Sequence, residues 1–314
     1  MGVERKLRVA FQGEPGAFSE AAAVQLLGSE SIETVPRPTF DSVFGAIAEG
    51  FADALLVPVE NSLAGSVVRV YDLLLQSGLT ITAETILPIE MHLIGCPGAS
   101  MAEIKTVASH PMALAQCEVF FRQHPSIRRL PADDTAGSVR EALARGDKTH
   151  AAIAGRYAAE RYRGAILAEK IQDNAENFTR FVFLTPSRKD SSNDPVDSAP
   201  CVSGALLDVL LDLELRREDS TANSPMRKMS IAMRLAHRPG SLLSSLEPFA
   251  RNQVNLLKIE SRPIHGRPWE YQFFIDLEAG DVSLLRAALE EVRQAAHEVR
   301  VLGLYRAWQN NRQQ

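Results

Sequence analysis

Residues 54–66 read Ala-Leu-Leu-Val-Pro-Val-Glu-Asn-Ser-Leu-Ala-Gly-Ser, and this stretch decides our prediction of the fold. Its first six residues are apolar, which is typical of a strand that is buried on both faces. The polar turn at residues 60–66 leads into a predicted helix over residues 67–76. A strand, a polar turn and a helix in this order predict an open α/β sheet, in which ligands gather at the carboxyl ends of the strands.

The same arrangement recurs along residues 7–186. The predicted strand at residues 9–11 is followed by a turn and a helix, and so is the predicted strand at residues 104–108. The alternation of apolar runs and amphipathic segments predicts an α/β region of two similar lobes. We expect the second lobe to cover about residues 88–168, with a cleft between the lobes.

A unit of a different type is predicted for residues 228–308. Its apolar periodicity predicts the order βαββαβ, which is the ferredoxin-like split unit. The Ser-, Asp- and Pro-rich residues 187–227 are predicted to be a linker or insert, with a short helix at residues 202–217. The edges of a small sheet invite pairing with another copy. We therefore expect a homodimer or a homotetramer.

The composition excludes several classes of function. The chain has 314 residues, of which 45% are hydrophobic and 23% charged, and a formal net charge of −5. An acidic balance argues against general binding of nucleic acid, which needs basic surface. No apolar run approaches the roughly 18 residues of a membrane span, and no apolar signal segment precedes the first predicted strand. We therefore predict a cytoplasmic protein with no membrane partner.

The cysteines predict neither a disulfide framework nor a metal site. Cys96, Cys117 and Cys201 are odd in number and scattered. His92 lies near Cys96, and His110 lies near Cys117, but neither pair belongs to a cluster with the spacing of metal ligands. We interpret these side chains as core or hydrogen-bonding residues.

The tripeptide Thr179-Arg180-Phe181 is the candidate for the chemistry of the chain. It stands at the start of a predicted strand, within residues 174–183. Arg binds carboxylate through two parallel hydrogen bonds, and a hydroxyl donates to an oxygen that gains charge. The tripeptide therefore suits a small, oxygen-rich anion, although an ordinary strand start is the alternative. We set aside the glycosylation sequon that begins at Asn177, since it operates only in secreted proteins.

Two polar turns are further candidates for the ligand site. In the turn at residues 12–19, Gly13 and Gly16 let the backbone approach a ligand, although a plain glycine turn is the alternative. This turn has neither the Walker ending nor the dinucleotide-binding pattern of glycines. In the second turn, Asn61 and Ser62 either contact a ligand or cap the following helix.

Taken together, these motifs resemble the prephenate dehydratase family over nearly the whole chain. The matching segments are Gly-Glu-Pro-Gly-Ala-Phe-Ser at 13–19, Val-Pro-Val-Glu-Asn-Ser at 57–62, Ser-His-Pro-Met-Ala-Leu-Ala-Gln-Cys at 109–117 and Asn-Phe-Thr-Arg-Phe at 177–181. The resemblance implies a two-lobed catalytic domain like that of periplasmic binding proteins. It also implies that prephenate loses carbon dioxide and water to give phenylpyruvate, with no metal or organic cofactor.

The resemblance also assigns roles to single residues. Thr179 assists departure of the ring hydroxyl. Arg180 is the expected partner of a substrate carboxylate, or alternatively a member of a structural ion pair, and Phe181 is the expected wall against the ring. The remaining residues expected around the substrate are Gly16, Glu60, Asn61, Ser62, Ser109 and Gln116.

The C-terminal unit resembles an ACT regulatory domain. Residues 258–263 contain the Glu-Ser-Arg-Pro motif of that family. The resemblance implies feedback inhibition by L-phenylalanine bound between subunits. The residues expected to frame this site are Gly240, Ser241, Leu242, Glu260, Ser261, Arg262 and Pro263. Ser241 replaces the Ala that is usual in the family, which makes the response to phenylalanine harder to predict.

Three further expectations follow from the resemblance. No N-terminal helical segment is long enough for a chorismate mutase, so we expect a monofunctional enzyme. The nearest alternative is arogenate dehydratase, because residues 12–23, 71–75 and 133–137 look similar to the plant-type enzymes. The alternative from another class is a non-enzymatic amino-acid sensor, since two-lobed clefts and ACT units both bind small ligands.

Overall fold

The computed structural model describes residues 5–186, 226–264, 266 and 270–308. These residues form two compact units. The first unit consists of the described residues within 1–73 and 85–181, and the second consists of those within 74–84 and 182–314. The three divisions fall within one helix, Val68–Ser77 (α3), and two strands, Leu79–Pro88 (β5) and Phe178–Pro186 (β11), so each of these elements contributes residues to both units.

The first sheet of the first unit is built on a parallel β-α pattern. Its elements before β5 are β1 (Leu7–Gln12), α1 (Phe18–Leu27), β2 (Ile32–Arg37), α2 (Phe40–Ala48), β3 (Ala54–Asn61), β4 (Gly65–Ser66) and α3 (Val68–Ser77). Strand β1 lies between β2 and β3 and is parallel to both. Leu55, Leu56 and Val57 of β3 are fully buried, as the apolar run predicted for a strand covered on both faces.

The second sheet of the same unit has five strands in the order β10-β6-β9-β7-β8. Its elements are β6 (His92–Gly95), a 3₁₀ turn (Met101–Glu103), β7 (Thr106–Ser109), α4 (Pro111–Ala115), α5 (Glu118–Gln123), β8 (Arg128–Pro131), α6 (Thr135–Arg145), β9 (His150–Ala154), α7 (Arg156–Tyr162) and β10 (Ala165–Ala168). Strand β7 is parallel to β8 and β9, whereas β6 is antiparallel to β9. After β10 the chain enters β11, which lies beside β3 in the first sheet.

The sequence predicts one helix over residues 112–121, with Pro111 in its first turn, but the structure has two separate helices there, α4 and α5. Pro111 occupies the first turn of α4 as predicted. The helix ends at Gln116, and the carboxylate of Asp173 accepts hydrogen bonds from the backbone N–H groups of Glu118 and Val119, at 2.9 and 2.8 Å. This carboxylate satisfies donors at the start of α5 and stabilises a new helix start there.

The second unit confirms the predicted βαββαβ order. Its elements are β12 (Arg227–Arg234), α8 (Ser241–Arg251), β13 (Asn255–Pro263), β14 (Tyr271–Ala279), α9 (Val282–Ala295) and β15 (Glu298–Arg306). The strands pair antiparallel in the order β13-β14-β12-β15. Met229 and Ile231 from β12 pack in the core with Leu285 and Leu289 from α9. The sequence predicts that Pro239 opens the first helix of this unit, but this prediction is wrong, because Gly240 is the N-cap and α8 starts at Ser241.

Strand β15 also pairs with the part of β5 that belongs to the second unit. Gly303 lies opposite Ile81 in a parallel bridge. A Cβ atom at position 303 would lie 2.2 Å from the carbonyl oxygen of Ile81, so this approach requires glycine. The helix predicted at residues 202–217 and most of the predicted insert lie outside the described residues. Among the described helices, none is long and apolar enough to cross a membrane.

Candidate active site

Asn61 stands at the end of β3, and the turn that follows the strand fixes its side chain. The side-chain oxygen of Asn61 accepts hydrogen bonds from the backbone N–H groups of Leu63 and Ala64, at 3.0 and 2.8 Å. Only an oxygen can accept these two bonds. The NH₂ group of the same amide therefore points away from the turn, towards β11.

The NH₂ group of Asn61 reaches Thr179. Asn61 Nδ2 donates to Thr179 Oγ1 at 2.9 Å, to Asn177 Oδ1 at 2.7 Å and to the backbone oxygen of Phe178 at 3.1 Å. An amide nitrogen has no lone pair to offer, so Thr179 is the acceptor in this bond. The structure shows no acceptor for the Thr179 hydroxyl proton within the described part of the chain. That proton is available to a ligand.

Asn177 joins this group to Gln116. Its side chain is 1% exposed, and its Nδ2 donates to Gln116 Oε1 at 3.2 Å. Gln116 therefore uses its oxygen inside the protein and presents its own NH₂ group elsewhere. Four side chains, Gln116, Asn177, Asn61 and Thr179, thus form one continuous chain of hydrogen bonds with a defined direction.

Gln116 is held in place by the segment that follows β10. The backbone N–H of Asp173 donates to the backbone oxygen of Gln116 at 2.7 Å. The carboxylate of Asp173 also binds the N-terminus of α5, as described above. This segment therefore fixes both sides of the break between α4 and α5, where Gln116 lies.

Ser62 connects the turn after β3 to the backbone at the start of β11. Its hydroxyl donates to the backbone oxygen of Glu176 at 2.9 Å and accepts from the backbone N–H of Phe178 at 2.9 Å. Its own backbone N–H donates to the Phe178 oxygen at 2.9 Å. These bonds use the hydroxyl in both directions and tie the turn after β3 to the start of β11.

The side chains of the Thr-Arg-Phe tripeptide do not form one surface. Successive residues of a strand point to opposite faces, so Arg180 lies on the other side of β11 from Thr179 and Phe181. The Arg180 side chain is 11% exposed, and its Nη2 lies 3.7 Å from Glu60 Oε2 in an ion pair. The Phe181 ring is 2% exposed and packs in the core. Of the three side chains, Thr179 is the one whose polar group joins the network described above.

Ser109 and Gly16 have structural partners as well. Ser109 is fully buried, and its hydroxyl donates to the backbone oxygen of Ile153 at 2.6 Å. Gly16 has a φ angle of +92°, and a Cβ atom there would lie 3.1 Å from the Cα of Ala158. Glycine is therefore needed for the close approach of the first turn to α7.

A polar cavity of about 650 Å³ lies at the strand ends of the same unit. The first turn contributes Gln12, Gly13 and Glu14 to its wall, and the residues before and within α6 contribute the opposite side. Glu14 and Arg140 form an ion pair at this cavity. Gly13 is the candidate from the sequence analysis that lines this cavity, whereas Thr179 and the residues expected around the substrate are not part of its lining. The backbone N–H of Ala132, which does line it, donates to the backbone oxygen of Ser109 at 2.9 Å.

The protonation state of Cys117 excludes thiolate chemistry beside Gln116. Burial, with a smaller contribution from the negative charge of Asp173, raises the pKa of the Cys117 thiol to about 12. The thiol is therefore protonated at neutral pH and is no nucleophile.

Comparison with known proteins identifies the family. The sequence model of the prephenate dehydratase family matches residues 9–189. This chain belongs to the prephenate dehydratase family. The expected class of enzyme, a lyase, is thereby confirmed, and the alternative of a non-enzymatic sensor is set aside.

One relative and two solved structures show how far the similarity extends. Arogenate dehydratase/prephenate dehydratase 1, chloroplastic, of Arabidopsis thaliana is 36% identical over 319 residues, which cover 97% of this chain and 73% of the relative. Prephenate dehydratase of Arthrobacter aurescens, solved with L-Phe, is 29% identical with a TM-score of 0.75, covering 96% of this chain and 90% of that chain. GqqA, described as a novel type of quorum quenching acylase, is 28% identical with a TM-score of 0.77. The match covers 96% of this chain and 98% of GqqA.

The second unit of this prephenate dehydratase family member contains a smaller cavity, of about 140 Å³. Its lining includes Ser241 and Leu242, which the resemblance assigns to an effector site, together with Leu235, Arg238 and Phe273 among others. Gly240 caps the adjacent helix with a φ angle of +82°. Glu260, Ser261, Arg262 and Pro263 lie on strand β13 and are not part of the lining.

Asn177 is a member of the hydrogen-bond network that the sequence analysis did not select as a candidate. The sequence pattern around it suggested only a glycosylation sequon, which we set aside. The available signal was its place inside the matching segment Asn-Phe-Thr-Arg-Phe, two residues before Thr179. A buried Asn needs partners for both ends of its amide, so such a residue at a strand start is a candidate for a polar network.

Proposed function

We propose that this protein catalyses the decarboxylative dehydration of prephenate to phenylpyruvate, carbon dioxide and water. The observation that carries the proposal is the hydrogen bond from Asn61 Nδ2 to Thr179 Oγ1. It makes Thr179 an acceptor inside the protein and a donor towards the ligand. A hydroxyl donor suits an oxygen that leaves the substrate ring with developing negative charge.

The reaction balances with these groups. The bond between the ring and its carboxylate breaks, and carbon dioxide leaves. The electron pair of that bond enters the ring, which becomes aromatic as the carbon–oxygen bond on the opposite side breaks. The departing oxygen takes up one proton and leaves as water. We propose that this proton passes through the Thr179 hydroxyl, which regains a proton from solvent.

Orientation supplies much of the catalysis in this proposal. Aromatisation drives the reaction forward, so the protein has to hold the substrate with its leaving oxygen next to Thr179. Gln116 presents its NH₂ group, which suits a carboxylate oxygen of the substrate. Arg180 is paired with Glu60, which favours the structural alternative for its role over direct binding of the substrate carboxylate.

Arogenate is the second candidate substrate, because the Arabidopsis relative is named for both activities. The ring, its leaving hydroxyl and its leaving carboxylate are common to prephenate and arogenate, so the role of Thr179 is the same for both. The test is the rate of formation of phenylpyruvate from prephenate and of phenylalanine from arogenate by the purified protein. Turnover of arogenate alone would keep the chemistry and change the substrate.

We also propose L-phenylalanine as a feedback effector, bound in the cavity of the second unit. The Arthrobacter aurescens structure is a complex with L-Phe, and the apolar side chains of Leu235, Leu242 and Phe273 suit a phenyl ring. Calorimetric titration with L-phenylalanine tests this. The substitution Ser241→Leu fills the cavity and is expected to abolish binding, whereas unchanged binding would place the effector elsewhere.

A homodimer or homotetramer is part of the proposal. On the edge strand β13, Leu256, Leu257 and Ile259 are 37%, 43% and 41% exposed, and exposed apolar edges favour pairing with another copy. Light scattering coupled to size-exclusion chromatography measures the mass of the assembly directly.

The cytoplasmic location remains a prediction, since the Arabidopsis relative is named as chloroplastic.

A further inference from the structure

We propose that Asn177 is a positioning residue, which holds the Asn61 amide that donates to Thr179 and sets the direction of the hydrogen bond at Gln116. This inference deepens the proposed function and rests on it for its kinetic consequences. Asn177 is 1% exposed, and each end of its amide has a partner from a different part of the chain. Asn61 donates to its oxygen at 2.7 Å, and its nitrogen donates to Gln116 Oε1 at 3.2 Å.

The direction of every bond in this chain follows from the bond before it. The backbone N–H groups of Leu63 and Ala64 hold the oxygen of Asn61, so Asn61 must donate towards β11. Asn177 receives this donation on its oxygen and therefore turns its nitrogen to Gln116. Gln116 accepts on its oxygen and consequently turns its NH₂ group outward.

An amide at position 177 is the chemistry that this geometry requires. The side chain has to accept at one end and donate at the other. A carboxylate only accepts, and an apolar side chain does neither. The backbone of Asn177 is fixed as well, because its oxygen accepts from the N–H of Ile89 at 2.7 Å. The side chain therefore has little freedom to exchange its partners.

The consequence is a site that offers hydrogen-bond donors at two points. Thr179 offers its hydroxyl proton, and Gln116 offers its NH₂ group. A substrate with a departing oxygen and a carboxylate presents acceptors to both. If the amide of Gln116 were reversed, its oxygen would face the substrate anion and repel it. Asn177 thus acts through Asn61, and so through Thr179, on the chemical step, and it acts through Gln116 on substrate binding.

The first experiment is a double-mutant cycle with Asn177→Ala and Thr179→Ala. We expect Asn177→Ala to lower kcat by up to about 100-fold, the scale of a misplaced catalytic group, and to change KM by less than about 3-fold, since the freed Gln116 amide can still turn its NH₂ group to the substrate. Because Asn177 acts on kcat through Thr179, the double variant should be no slower than Thr179→Ala alone. Losses in kcat that multiply would overturn the proposal.

The second variant, Asn177→Asp, separates the two ends of the side chain. Aspartate still accepts from Asn61, so kcat should stay close to that of the unaltered protein. It can only accept from Gln116, so the Gln116 amide reverses and KM rises about 10-fold or more, as expected for one misdirected hydrogen bond to a charged group. In the Gln116→Ala background the same substitution should raise KM much less. An equal rise in both backgrounds would assign the effect to the added charge and contradict the proposal.

A spectroscopic measurement tests the inference without any turnover. The side-chain NH₂ signals of Gln116, assigned by their loss in Gln116→Ala, are recorded by ¹H–¹⁵N NMR. In Asn177→Asp these signals should move downfield, because the NH₂ group now donates to a carboxylate. Unchanged Gln116 signals would contradict the proposal. This readout remains decisive even if the protein turns over neither substrate, an outcome that would overturn the proposed function alone.

Asn174→Ala is the matched control for these variants. Asn174 is exposed, and among the described residues its side-chain oxygen accepts only from the nearby backbone N–H of Glu176, at 2.8 Å. We expect unchanged kcat and KM, with the thermal unfolding temperature as the check on folding. If Asn174→Ala lowered kcat as much as Asn177→Ala, loop disturbance would explain both, and the assignment to Asn177 would be overturned.

Discussion

The side-chain nitrogen of Asn61 lies 2.9 Å from the Thr179 hydroxyl oxygen, although the two residues are 118 positions apart in the sequence. The bond joins the end of β3 to the start of β11. Because the nitrogen can only donate, the contact determines which way the Thr179 hydroxyl points its proton. The proposed catalytic role of Thr179 depends on this relationship.

Asn61→Asp is predicted to change the Thr179 hydroxyl from an acceptor to a donor in its hydrogen bond with residue 61. The aspartate still accepts from the backbone N–H groups of Leu63 and Ala64, so the turn is preserved. It cannot donate to Thr179, and the Thr179 hydroxyl donates to it instead. We expect kcat to fall about 100-fold, in line with a lost proton-transfer contact. Steady-state kinetics and the unfolding temperature are the measurements, and a kcat within about 2-fold of the unaltered protein would contradict the prediction.

Stability is predicted to fall as the pH decreases below about 6.5 because of His92. This side chain is fully buried, and its Nδ1 accepts from the backbone N–H of Lys170 at 3.3 Å. Burial, and then the positive charge of Arg156, lower the pKa of His92 below its ordinary value, with smaller opposing effects from Glu90 and Glu169.

The lowered pKa of His92 determines how stability changes with pH. Below pH 6.5 the unfolded chain binds a proton on His92 that the folded chain does not bind, so protonation favours unfolding. The loss of stability grows until the pH reaches the lowered pKa of the folded state. His92→Asn keeps an acceptor for Lys170 and does not titrate. Its unfolding free energy should therefore depend less steeply on pH between 6.5 and 5, and an unchanged slope would refute the assignment.

The buried ion pair of the second unit predicts a large loss of stability. Lys228 Nζ lies 2.9 and 3.0 Å from the two carboxylate oxygens of Glu84, and the two side chains are 9% and 1% exposed. Lys228→Met removes the cation and leaves the carboxylate buried, at an expected cost of about 3–5 kcal/mol. The measurement is the free energy of unfolding in denaturant.

A second substitution tests whether the unpaired buried charge or the altered packing causes the loss of stability. In the double variant Lys228→Met with Glu84→Gln neither charge of this pair is left, so about half of the lost stability or more should return. The backbone N–H of Trp308 still has an oxygen to donate to at position 84. A double variant as unstable as Lys228→Met alone would show that the buried charge is not the cause.

The sequence predicted the elements of the fold well because each element carries its own local signal. The apolar run of β3, Pro111 at the first turn of α4 and the βαββαβ order of the second unit all depend on residues that are close in the sequence. The break between α4 and α5 could not be predicted in this way. It depends on the carboxylate of Asp173, which is 55 residues from Glu118.

The sequence predicted several residues of the candidate site but not the hydrogen bonds that connect them. The sequence pointed to Asn61, Gln116 and Thr179, and the structure joins them through Asn177. The direction of those bonds depends on partners 61 and 116 positions away along the chain, which no local pattern reveals. The strand alternation that separates Arg180 from Thr179 was readable in principle, since it follows from the period of two.

The most direct test of the central claim is the rate of product formation from prephenate and from arogenate by the protein and its Thr179→Ala and Thr179→Ser variants. Thr179→Ser keeps the hydroxyl and should retain kcat within about 10-fold for the preferred substrate, whereas Thr179→Ala should lose about 100-fold or more, the scale of one lost donor to a developing anion. Both variants should unfold at nearly the same temperature as the unaltered protein. A folded Thr179→Ala variant with undiminished kcat would contradict the account.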